Sequence, residues 1–433
     1  MKNILIVLIL FSSKLFSQQL DVTEKILKNG LKIILVENHT VPNVCLSVGY
    51  HVGSRNERFG ITGISHLFEH MMFNGSSKYK PTEFDKILES GGGYSNAFTS
   101  NDITFYYEEF NSDLLEKVFD LESDRIRSLK LDDANVEQER GIVKEERRLR
   151  TDNSPQGKMW EDLYAAAFVG HPYHNPVVGW MKDLDNISLD DCKDYFRIYY
   201  APNNATLTLV GDFKTEKALP LIEKYFADIP PAEKPRNVND AEPAQEGEKR
   251  IELKKTAQLP AVLIGYKAPK VNTEDFYILN LLSSILSRGE SSRLYSNLVY
   301  EKQIATSVYT DQDDFIDGGL FIIYAQATPG SEISNIENEI HKTIDSIKVN
   351  GITSRELQKA KNGMLVSNYN KMKTNNGVAM ALGVTDVIYG NYKNIFTAVD
   401  KYNSVTEEQI KKVAEKYFLK DKRTVVTLIP LAQ

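Results

Sequence analysis

The chain has 433 residues, 42% of them hydrophobic and 26% charged, which suits two ordinary globular domains and excludes bulk disorder. A formal charge of −7 excludes a nucleic-acid surface, which needs clustered lysine and arginine. Cys45 and Cys192, far apart and without CxxC spacing, exclude a disulfide scaffold or a zinc ribbon and read as small buried hydrophobes.

The N-terminus, MKNILIVLILFSSKLFSQQ, has a basic start at Lys2, an apolar run from Ile4 to Phe11 and a small-residue cleavage site near Ser17. The run is too short to span a bilayer comfortably, so residues 1–17 read as a removable signal peptide and the mature chain as exported, periplasmic or secreted. Removal takes two lysines and no acid, which lowers the charge to −9. No later segment has the length and apolarity of a membrane span.

GLKIILVE and CLSVGYHVGS have the apolar, β-branched character of strands. GITGISHLFEHMMFNGSS follows. On a helix, His66 and His70 share one face and can reach one ion, while Glu69, slightly offset, can reach a water there without occupying the metal. The alternative is an ordinary helix with two histidines on its polar face. GGGYSNAFTSNDITFYYEEF is a glycine turn leading into an alternating strand, as in a hairpin. DDANVEQERGIVKEERRLRTDNSP predicts a charged helix from near Asp132, with Glu139 and Glu146 two turns apart on one stripe. Taken alone, such a helix is a solvated one. In HPYHNPVVGW, His171 and His174 read as structural, and His39 and His51 have no identifiable partner.

SLDDCKDYFRIYYAPNNATLTLVGD, from Ser188, and TEEQIKKVAEKYFLKDKRTVVTLIP, from Thr406, register without a gap. In each a capping residue is followed three positions later by Asp191 or Gln409. A helix to Tyr199 or Tyr417, a polar turn and a strand come next. The match indicates an internal duplication. IPPAEKPRNVNDAEPAQEGEKR, residues 229–250, is a polar, proline-rich connection between two similar halves, and PAVLIGYKAP opens the second with a strand. Helical patterns lie between the strands of both, so each half reads as an α+β layer of helices on a mostly antiparallel sheet.

The HxxEH stretch and the acidic helix together resemble the zinc peptidases of the pitrilysin–insulysin family, which includes mitochondrial processing peptidase. Its motif inverts the thermolysin order. Glu146 stands at the downstream spacing of the family's third ligand, inside ERGIVKEERRLRTDNSP. The resemblance implies one zinc ion per chain on His66, His70 and Glu146, with Glu69 as general base and Glu139 in support. Glu145 is the rival to Glu146, turned about 100° away around the helix. GGGYSNAF resembles the family's GGxxNA segment, where an edge strand pairs with extended substrate, and this puts Asn96, Ala97 and Phe98 against the peptide.

The likeness covers nearly the whole mature chain. It implies an α+β fold of two homologous domains, 18–228 carrying the metal and 251–433 its counterpart, which enclose a chamber for unfolded peptides or short polypeptides. One segment departs. SSRLYSNLVYEKQIATSVYT matches a family stretch of the form LRxxxGLAYxV, but Val299 and Thr306 hold the positions of the arginine and tyrosine that reach the substrate. Tyr300, Arg293 and Tyr309 are the candidates to compensate. The alternative is a catalytically weak subunit whose partner supplies those groups, in a homodimer or in a heterodimer with a second chain of the family.

Overall fold

The computed structural model describes residues 20–238 and 241–431, and the expected signal peptide lies outside them. Six strands form the first sheet: β1 (Thr23–Ile26), β2 (Lys32–Glu37), β3 (Asn43–Tyr50), β4 (Tyr94–Thr99), β5 (Thr104–Asn111) and β6 (Ala205–Gly211), in the order β1-β2-β6-β3-β5-β4. Five form the second: β7 (Lys249–Thr256), β8 (Ala261–Lys267), β9 (Ala305–Gln312), β10 (Leu320–Ala327) and β11 (Arg423–Leu431), in the order β7-β11-β8-β10-β9. Without β1 the two orders are the same. In each half the last strand inserts between the first two, parallel to one and antiparallel to the other, and all remaining pairs are antiparallel.

The repeat read from the two capping sequences folds as expected. Ser188 with Asp191 and Thr406 with Gln409 form reciprocal capping boxes on helices Leu189–Tyr199 and Glu407–Tyr417, which lead into β6 and β11. Lys249 and Arg250, which their composition places in the connection, are the first residues of β7.

Each sheet packs its own half's helices on one face. In the first half, Ile33, Leu35, Leu46, Val48 and Leu207 meet Leu67, Phe68, Phe119 and Ile222. The other face is filled from the opposite half. Helix Pro155–Ala167 places Met159, Leu163 and Ala167 on Leu263, Ile322 and Val426 of the second sheet. Helix Asn375–Tyr389 places Val378, Ala379 and Leu382 on Ile34, Val36, Cys45 and Val210 of the first. The two exchanged helices start alike. Ser154 and Thr374 cap them by accepting from the amides of Gly157 and Gly377. A Cβ on either glycine would lie within 2.0 Å of a preceding carbonyl, that of Arg150 or of Lys371. Small residues are needed there because chain and helix start touch backbone to backbone.

Candidate metal centre

Helix Ile64–Met71 buries Ile64, Leu67, Phe68 and Met71, which leaves His66, Glu69 and His70 on the opposite side. Its first turn is tied down by two carboxylates. The amides of Gly63 and Ser65 donate to Glu57 (2.8 Å each). The hydroxyl of Thr62 donates to Asp183 (2.7 Å) and accepts from the amide of Trp180 (3.0 Å). Burial pushes the Glu57 carboxyl up to about 8 against these donors. The HPYHNPVVGW stretch closes against the same turn. Gly63 and Gly179 both have positive φ, and a Cβ on Gly179 would stand 2.3 Å from the Thr62 carbonyl and 2.6 Å from Gly63 Cα. Gly179→Ala is therefore expected to cost about 3 kcal/mol from left-handed backbone strain and overpacking together, read as a lowered thermal midpoint. A midpoint within a degree of wild type would show that this glycine contact does not fix the helix.

Helix Asp133–Arg147, capped by Asp132, runs alongside. Glu146 turns one oxygen to both imidazoles, 3.7 Å from His66 Nε2 and 3.4 Å from His70 Nε2. One donor atom from each of the three side chains lies within 4.8 Å of the others, and no other group of His, Cys, Asp or Glu among the described residues converges in this way. Glu139 stands behind, 3.4 Å from His70 Nδ1. Glu145 points to solvent and pairs with Arg148, so of the two neighbouring glutamates Glu146 is the one beside the imidazoles. Burial and the charge of His70 hold His66 down to about 4, so its ring is neutral, as a ligand must be. At His70, burial acts downward but is outweighed by Glu139 and Glu146, which raise it. Burial raises Glu69, which is not part of the converging triad. Two imidazoles and a carboxylate, one ring steadied by a second carboxylate, form a donor set that fits zinc.

The triad lies in a cleft of about 810 Å³, lined also by Glu69 and by Asn96, Ala97, Phe98 and Thr99 of β4. Strand β4 ends its sheet, paired to β5 alone, so its outer side is an open edge. All lining residues fall between His66 and Val178. Around the metal residues the cleft is therefore lined by the first half. The second half stands behind it. Tyr309 stacks on Trp160 with ring centroids 6.4 Å apart, and Asp313 accepts from Tyr164 (2.7 Å).

None of the three candidates to compensate lines this cleft. Arg293 is held by both oxygens of Glu356 (2.6 and 2.9 Å), Tyr300 is 76% exposed outside the lining, and Tyr309 lies behind Trp160. Val299 packs on the second core, and Thr306 donates to Gln326. Of the other histidines, His171 faces Asp317 (3.2 Å), and His174 bonds the carbonyls of Ala165 and Phe168 while lining the cleft. His39, for which the sequence offered no partner, sits between Glu37 and Asp212. Sequence reasoning passed over Glu57, Asp183 and Arg150. The one available signal was GITG, a glycine pair whose left-handed turn needs a cap for the helix that follows.

Comparison with known proteins identifies the family to which this fold belongs. Residues 32–179 match the family model described as insulinase (peptidase family M16), residues 186–364 match the one described as peptidase M16 inactive domain, and the chain belongs to this pitrilysin-type family. It is 32% identical over 414 residues to "Zinc protease PqqE" of Helicobacter pylori, covering 93% of this chain and 92% of that one. It is 28% identical to "Uncharacterized zinc protease YmxG" of Bacillus subtilis, covering 91% and 95%. The crystal structure of a protease from Helicobacter pylori superposes with a TM-score of 0.91 at 31% identity, over 95% of this chain and all of that one.

Proposed function

We propose that the chain is an exported zinc-dependent endopeptidase that hydrolyses unfolded peptides or short polypeptides. The observation that carries this reading is the meeting of His66, His70 and Glu146 in a cleft that Glu69 also lines and an open sheet edge borders. His66, His70 and Glu146 would hold one zinc ion per chain, which when bound supplies a Lewis acid that polarises a carbonyl and acidifies water. Glu139 would keep the His70 ring oriented through Nδ1. The substrate would add to β4 as a strand, so that main-chain hydrogen bonds beside Asn96, Ala97 and Phe98 supply affinity with loose sequence preference.

Glu69 then moves the proton. As the water oxygen bonds to the carbonyl carbon, Glu69 takes a water proton. When the C–N bond breaks, Glu69 delivers it to the leaving nitrogen, which departs as the amine. A carboxyl whose affinity for protons is raised by burial suits both transfers.

Residues 18–433, purified and offered a quenched mixture of unstructured peptides, are expected to cleave it, to lose activity to a chelator and to regain it with zinc. About one zinc per chain is expected by elemental analysis. A chain purified from zinc-containing medium without metal would sink the reading. A second reading, a subunit that needs a partner for substrate contacts, is favoured by the engagement of Arg293 with Glu356 and by Val299 and Thr306 in place of arginine and tyrosine. Stoichiometric zinc with no cleavage until a second family chain is added would select it.

A further inference from the structure

On the peptidase reading, we infer that Arg150 is a catalytic residue, one that contacts the oxygen of the scissile carbonyl as it gains negative charge. The cleft offers in its lining one such group besides the metal residues. Glu69, Glu146 and Glu161 line it, Tyr164 and Tyr173 spend their hydroxyls on Asp313 and Asp102, and among the described residues Arg150 is the only arginine or lysine in the lining. An anion developing among carboxylates is unfavourable unless a positive donor is already aimed at it.

The arginines of ERRLR divide by geometry. Arg147 is buried, donating to the Gly179 carbonyl (2.8 Å) and paired with Glu161 (2.7 Å). Arg148 turns outward to Glu145. The chain then widens into a π-turn, Arg148–Asp152, closed by the amide of Asn153 donating to the Arg148 carbonyl (2.7 Å). Such widened turns recur at functional sites because they change which way the following side chains face. Arg150 comes back to the metal side, where its guanidinium lies 2.8 Å from the oxygen of Glu146 that faces away from the histidines.

Its backbone is fixed and its side chain is exposed. Gly157 packs so closely on the Arg150 carbonyl that a Cβ would lie 1.8 Å away, yet the Arg150 side chain is 79% exposed. An i, i+4 pair whose arginine is exposed is weak even though Glu146 is mostly buried, so the guanidinium can leave Glu146 for a substrate oxygen at little cost to the fold. Arg150 would thus supply from the metal's own half the charge that Val299 does not supply from the other.

The test compares Arg150→Ala, Arg150→Gln and Arg150→Lys with wild type in kcat, KM, zinc content and affinity for a phosphinic peptide, whose tetrahedral phosphorus carries charged oxygens. The expected result for Ala and Gln is a fall in kcat of about a hundredfold with KM within about threefold. Zinc should be retained, phosphinic affinity should fall in step with kcat, and added guanidinium should partly restore the Ala variant. Lysine, a point charge on a shorter reach, should fall between. Unchanged kcat and phosphinic affinity would overturn the role with the peptidase reading intact. Loss of zinc parallel to loss of activity would instead make Arg150 only a support for Glu146. A wild-type chain that neither cleaves nor binds the phosphinic peptide would overturn both.

Discussion

Glu69→Gln is expected to lower kcat about a thousandfold while leaving zinc content, thermal midpoint and peptide affinity near wild type. The amide has the shape of the carboxylate but cannot take a proton from water at neutral pH. Glu69 is not among the converging donor atoms, so its loss should not empty the site. The same change separates chemistry from contamination, because a co-purifying peptidase would cleave equally in both preparations. If the variant lost its zinc along with activity, Glu69 would have to be counted among the ligands. If it retained full activity, the base would have to be sought elsewhere in the cleft, with His174 the next candidate by position.

A second large effect is expected in the core of the first half. Arg125 is buried with Glu108 (3.1 Å) and Glu122 (2.5 Å), under the rings of Phe84 and Tyr106. Arg125→Met roughly keeps the volume and removes the cation paired with two buried carboxyls. Breaking a buried pair from one side costs about 3–5 kcal/mol, a large fraction of the stability of a domain. The sign of the pH dependence is distinctive. Burial and Glu122 already hold the Glu108 carboxyl well above its ordinary value of 4.5, and without Arg125 it rises further. The native state then binds more protons than the unfolded one above pH 4.5, so the variant's stability should fall as pH rises, opposite to ordinary acid unfolding. Urea melts between pH 4.5 and 8 would read this slope. A flat profile at wild-type stability would mean that water or another cation replaces the guanidinium.

Local signals were legible because they are chemical requirements of single elements. Ser188 with Asp191 and Thr406 with Gln409 announced two helix starts, and both formed. His66 and His70 announced a shared helix face, and the ring centroids stand 4.9 Å apart. The approach of Glu146 rather than Glu145 depended on helix phase, which a spacing of seven from Glu139 already contained. What could not be read was where the helices went. Nothing in the pattern of residues 155–167 or 375–389 states that each covers the sheet of the opposite half, since an amphipathic face specifies burial and not its partner. For the same reason the cleft had to be seen to be lined by one half. Arg150 was hidden by the π-turn, because an uninterrupted helix would have predicted a different bearing for every residue after Arg147.

The exchange of helices makes the halves mutually dependent. Severed within the connection, each fragment would carry a sheet with one bare apolar face and a helix with nothing to cover, so neither should be soluble by itself. Produced together, the fragments should find each other and rebuild the site, because the surface that joins them is core and the peptide that links them contributes little of it. The covalent connection raises the local concentration of two pieces that already specify each other.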